Sequence, residues 1–155
     1  MKNVEQVARF VDQQSYGLDV TQETDLYRRA TSYIKGVCAR RKLLADDANL
    51  FVVVQPDLDF VSDINGHDFG VNGACQRVRD NSTDEVAFVI YLSEDRYSDM
   101  GWDSYALTIR HELAHVEADL RYGRQISDGD DEFEIICNWL DAPVTAADHE
   151  VMLNE

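Results

Sequence analysis

The spacing of apolar residues divides the chain into helical and extended segments. Val4, Val7, Ala8 and Val11 recur at helical intervals and predict a helix over 3–15, ended by Gly17. A longer helix is predicted from an N-cap at Thr21 to about Leu44, with Leu26, Ala30, Tyr33, Ile34, Val37 and Cys38 on one face. Phe51–Val54 is an apolar, β-branched run and reads as a strand stopped by Pro56. Residues 56–70 are rich in Asp, Gly and Asn and read as a loop or frayed hairpin. Gly73–Arg79 and Val86–Leu92 read as two strands around a turn at Asp80–Asp84. Trp102–Tyr122 is the longest helical pattern, and a last helix is expected over Asp131–Leu140, before a tail with Pro143. The order is helix, helix, three strands, helix, helix. It predicts an α+β fold with a small, mostly antiparallel three-stranded sheet and helices segregated around it.

The length of 155 residues suits one domain spanning 1–155, without repeats or low complexity. No apolar run approaches the roughly 20 residues of a spanning helix, and the charged N-terminus has no secretory pattern. Cys38, Cys75 and Cys137 are scattered and form no CxxC pair, which argues against a disulfide framework and a zinc ribbon. Reduced thiols and a cytoplasmic location, or a virion for a viral protein, are expected.

Charge changes this picture. The chain carries 30 acidic residues against 14 Lys and Arg, for a formal charge of −16. Asp dominates the acids, and Lys2, Lys35 and Lys42 are the only lysines. Dense carboxylates stay hydrated where salt screens their repulsion. This composition resembles proteins of salt-loving archaea and their viruses. Arg28, Arg29, Lys35, Arg40, Arg41 and Lys42 form a local basic run free of Asp and Glu. It reads either as a solvated helix face or as a patch that contacts nucleic-acid phosphate.

The chemistry lies on the long helix, in His111-Glu112-Leu113-Ala114-His115. Histidines four apart share a helix face and can bind one metal ion, while Glu112 flanks them about 100° round the helix. Zinc there would lower the pKa of water towards ~7, and Glu112 could take the proton.

The strand Phe88-Val-Ile-Tyr-Leu92-Ser93, the segment Tyr105-Ala-Leu-Thr-Ile-Arg110 and the HELAH motif together resemble the SprT-like zinc metalloproteases, which include the Spartan-type enzymes. Gly73-Ala-Cys-Gln-Arg77 is similar to the glycine-led strand upstream in that family. The likeness covers about residues 20–140. It implies a minimal zincin fold, a protein or peptide substrate, a zinc cofactor, His111 and His115 as ligands and Glu112 as general base.

The chain departs from that pattern in two places. No four-cysteine ribbon follows, and the family's third ligand, a histidine before a glycine opening the next helix, is missing. The matching stretch is Ser127-Asp128-Gly129-Asp130-Asp131-Glu132-Phe133. Asp128, beside the glycine, is the expected third ligand, with Asp130, Glu132, Glu134 and His149 as alternatives. A helix N-terminus dressed with carboxylates explains the same acids without metal.

His67 reads as an exposed loop residue or a group supporting the site. Trp102 is expected to anchor the start of the metal helix, and Trp139 to bury its ring. Cys38 and Cys137 read as core filler. Three functions follow: a zinc-dependent peptidase, a non-catalytic zincin-fold structural or assembly protein such as a viral particle component, and a nucleic-acid-binding module.

Overall fold

A computed structural model describes residues 24–59, 72–79 and 83–155. The helix expected over 3–15, most of the Asp- and Gly-rich loop, and His67 lie outside the described residues.

Helix α1 spans Asp25–Arg41. Thr24, rather than Thr21, is its N-cap, accepting the Tyr27 amide at 3.1 Å. Asp25 in its first turn and Arg40 and Arg41 in its last complement the helix dipole. The helix stops before Leu44 because Lys42 turns left-handed, at φ 54°, and redirects the chain. A 3-10 turn follows over Leu44–Asp47.

Strands β1 (Leu50–Gln55), β2 (Gly73–Arg79) and β3 (Val86–Ser93) form a three-stranded sheet in the order β1-β3-β2. β2 pairs antiparallel with β3, Gly73 facing Leu92 and Arg79 facing Val86. β1 pairs parallel with β3, Leu50 facing Phe88 and Gln55 facing Ser93. The sheet is therefore mixed, not mostly antiparallel. Its signature is in β1, whose residues are buried from end to end. An uninterrupted apolar run covered on both faces belongs to parallel pairing, whereas a half-solvated hairpin strand alternates.

One sheet face, carrying Leu50, Val52, Val54, Phe88, Ile90 and Leu92, joins the main core. Against it lie α1 and the long helix α3 (Trp102–Tyr122), the latter through Ile109, Leu113 and Val116. α3 matches its expected limits, with Gly101 at φ 78° before it and Gly123 at φ 70° after it. Both conformations favour glycine, which has no Cβ to clash.

Two helices lack a clear apolar stripe and were not expected: α2 (Glu94–Met100) and α5 (Ala146–Leu153). Each is started by its cap. Ser93 Oγ accepts the Arg96 amide at 3.2 Å, and Thr145 and Asp148 form a reciprocal capping box. Helix α4 (Asp131–Leu140) buries Phe133, Ile136, Cys137 and Leu140 against α3.

Glu117 on α3 is fully buried. Its carboxylate accepts the amides of Leu44 and Ala45, each at 3.0 Å, and Arg121 Nε at 2.7 Å. It ties α3 to the 3-10 turn. Trp102 does anchor the start of α3, edge-on to Tyr33 and Tyr97, with the Arg29 guanidinium over its ring. Trp139 does not bury its ring. It is 38% exposed and carries the Arg121 guanidinium 4.4 Å from its centroid, so cation–π contact replaces core burial.

Candidate metal centre

The helical repeat sets His111 and His115 side by side on α3, with ring centroids 5.1 Å apart. Phe133, fully buried on α4, holds both rings. It stacks on His115 at 4.1 Å and meets His111 edge-on at 5.1 Å. Backbone carbonyls fix the tautomers. The Pro143 oxygen lies 2.7 Å from His111 Nδ1, and the Ile126 oxygen 3.3 Å from His115 Nδ1. A carbonyl can only accept, so each Nδ1 carries hydrogen and each Nε2 faces the site, where it can bind an ion or, when protonated, donate to a carboxylate.

Asp128 faces those nitrogens. Its Oδ1 lies 2.7 Å from His115 Nε2 and 3.7 Å from His111 Nε2. One donor atom from each of His111, His115 and Asp128 falls within 4.8 Å of the others, so the three could hold a metal ion. This is the expected trio. The alternatives do not join this group. Arg124 pairs with Glu132 at 3.1 Å and approaches Asp130 at 3.9 Å, while Asp130 also accepts the Ser127 amide. Glu134 is exposed on α4. His149 Nε2 is hydrogen-bonded to Ser104 Oγ at 3.0 Å, and burial lowers its pKa.

The electrostatics follow from proximity and burial. The hydrogen bond to His115 holds the Asp128 carboxyl below its usual range. Burial pulls the His115 pKa down, but Asp128, with help from Glu112 and the Ile126 carbonyl, outweighs it and leaves the net shift upward. Burial raises the Glu112 pKa, with the two histidines pulling the other way. Glu112 is 6% exposed and has no hydrogen bond or ion pair among the described residues. Glu117, one helix turn and a half further on, has three donors.

Gly73 lets the sheet come this close. A Cβ there would meet Thr108 Cγ2 at 3.1 Å and Glu112 Cγ at 3.3 Å. Above the site, Tyr105 donates its hydroxyl to the Asn72 carbonyl at 2.7 Å and accepts the Ser93 amide at 2.8 Å. It thereby joins the start of β2 to the end of β3. A cleft of about 390 Å³ opens here, lined by His111, Glu112 and Asp128 and also by Asn72, Arg96 and His149. Sequence reading missed Arg96, because it sits in a helix without an apolar pattern.

Burial pushes the Cys38 and Cys137 thiols up to about 12, so they stay protonated, as core filler should. In the basic run, Arg28 pairs with Asp25, Arg41 with Asp141, and Arg29 lies on Trp102. Among the described residues no helix is long and apolar enough to cross a membrane. Comparison with known proteins finds no matching family model, no similar curated protein and no similar solved structure.

Proposed function

We propose that this protein is a zinc-dependent peptidase of the SprT-like, minimal-zincin kind. His111, His115 and Asp128 hold the ion, and Glu112 is the general base. Two imidazoles and one carboxylate suit a catalytic zinc site, which keeps a fourth position open. Zinc supplies Lewis-acid polarisation of a peptide carbonyl and acidifies water. Glu112 takes the proton from the attacking water and returns it to the leaving amine. The observation that carries this reading is the contrast between two buried acids on one helix. Glu117 spends its carboxylate on three protein donors, while Glu112 keeps its own free beside the two histidines.

The test is elemental analysis of purified protein, with thermal melts before and after chelation. About one zinc per chain is expected, and removing it should lower Tm, because an ion bound only to the folded state stabilises it. The effect depends on pH. A proton on His115 competes with metal, and that pKa lies above the ordinary 6.5. The zinc-induced rise in Tm should therefore grow as pH increases through and beyond that value. Iron in place of zinc would point away from hydrolysis, since two histidines and a carboxylate also serve non-haem iron. Absence of any metal would favour the structural or assembly role.

A further inference from the structure

We propose that Arg96 makes this cleft selective for substrates that carry a carboxylate, either an acidic side chain or a free C-terminus, close to the bond cleaved. The proposal rests on the peptidase reading and adds its substrate class.

Three observations converge. First, Arg96 lines the same cleft as His111, Glu112 and Asp128, and among the described residues it is the one arginine or lysine there. Second, its guanidinium has no hydrogen bond or ion pair among the described residues. Arg28, Arg41, Arg77, Arg79, Arg121 and Arg124 all meet carboxylates. The acids of its own helix, Glu94, Asp95 and Asp99, form no ion pair with it. Arg29, Arg40 and Arg110 also lack a carboxylate, but among the described residues Arg96 alone of these four lines the cleft. Third, its backbone is fixed. The Arg96 amide is held by Ser93 Oγ, and Ser93 Oγ in turn donates to the Pro56 carbonyl at 3.1 Å. The side chain therefore starts from a rigid point at the cleft rim.

The two cleft carboxylates do not cancel it. Asp128 is engaged by His115 at 2.7 Å, and Glu112 lies buried under Gly73. An arginine fork takes a carboxylate through two parallel hydrogen bonds, which makes it selective for that group over an amide of the same shape. The net charge of −16 repels anions in general. A single unpaired guanidinium converts that into local selection: an anion is admitted where it can meet Arg96.

The experiment compares two peptide pairs at constant salt. One pair differs by Glu against Gln, and the other by a free against an amidated C-terminus. Zinc-loaded wild type and Arg96→Ala are assayed for cleavage. Binding of the same peptides to the Glu112→Gln variant, with and without Arg96→Ala, is followed by fluorescence anisotropy. We expect the carboxylate member of at least one pair to bind about tenfold more tightly, and Arg96→Ala to abolish the difference while leaving the neutral member unchanged. Arg96→Lys should restore only part of it. Whichever pair responds identifies the source of the carboxylate. Equal binding within both pairs, or a preference that survives Arg96→Ala, overturns the proposal even if peptides are cleaved. A preference that depends on Arg96 without cleavage by wild type upholds the selectivity and overturns the peptidase reading instead.

Discussion

Glu112→Gln should fold normally, bind zinc as well as wild type, and lose about 10² to 10⁴-fold of peptidase turnover, the usual contribution of a general base. Gln keeps the length and shape of the side chain, so the close packing against Gly73, where an added Cβ would lie 3.3 Å from Glu112 Cγ, is preserved. The three candidate ligands are untouched, since Glu112 is not among them. Only the capacity to take a proton is lost. Burial without a partner raises the Glu112 pKa, which places this carboxylate closer to neutral pH, where a base is most effective. The measurement is kcat on an unstructured protein substrate in high salt, beside zinc stoichiometry and Tm of both proteins. Equal turnover by the two would assign any activity to another site. Loss of zinc from the variant would show Glu112 to be a ligand.

Glu117→Ala should cost about 3 kcal/mol or more of stability, as expected when one partner of a buried ionic network is removed. The Leu44 and Ala45 amides lose their acceptor in the protein, and Arg121 loses its carboxylate. For a chain of this size that corresponds to a fall in Tm of roughly 6–12 °C. Glu117→Gln keeps one oxygen acceptor and should fall less. Differential scanning calorimetry in matched salt gives the comparison. A shift in Tm of under a degree for the Ala variant would mean that water replaces the carboxylate. The pair of substitutions separates two acids that look alike in sequence: one should abolish turnover with little change in Tm, the other should do the reverse.

How far the sequence revealed this molecule depended on whether a feature was periodic. α3 is legible to the residue because its apolar positions recur over 21 residues between two glycines. The His111–His115 pair follows from the same periodicity, whereas Asp128, before Gly129, is pointed to only by the resemblance to the SprT-like pattern. By contrast α2 and α5 are held by caps, at Ser93 and Thr145, and one polar residue at a helix start leaves little trace in a hydrophobic pattern. The parallel pairing of β1 leaves a trace in its uninterrupted apolar run, but which strand it pairs with is decided by distant partners. The roles of Glu112 and Glu117 differ only in what surrounds them, and Asp130 and Glu132 are set apart from Asp128 by Arg124, whose reach is a tertiary fact. Trp139 shows the same limit. Its neighbour Arg121 comes from another helix, and that neighbour decides where the ring rests.

The parallel pairing also orders the events by which the chain acquires its shape. β2 and β3 are joined by the short segment between Arg79 and Val86, so their antiparallel register needs only a small loop to close. Bringing Leu50 opposite Phe88 requires closure across the whole stretch that contains β2. Long closures cost more entropy before any contact repays it. The hairpin is therefore expected to form ahead of the β1 pairing, with the β1-facing edge of β3 open in that interval. Nascent chains in this interval are exposed to edge-to-edge association. The dense negative charge of the chain opposes such encounters between copies, so the acidity that keeps the finished protein dissolved also protects it while it is being made.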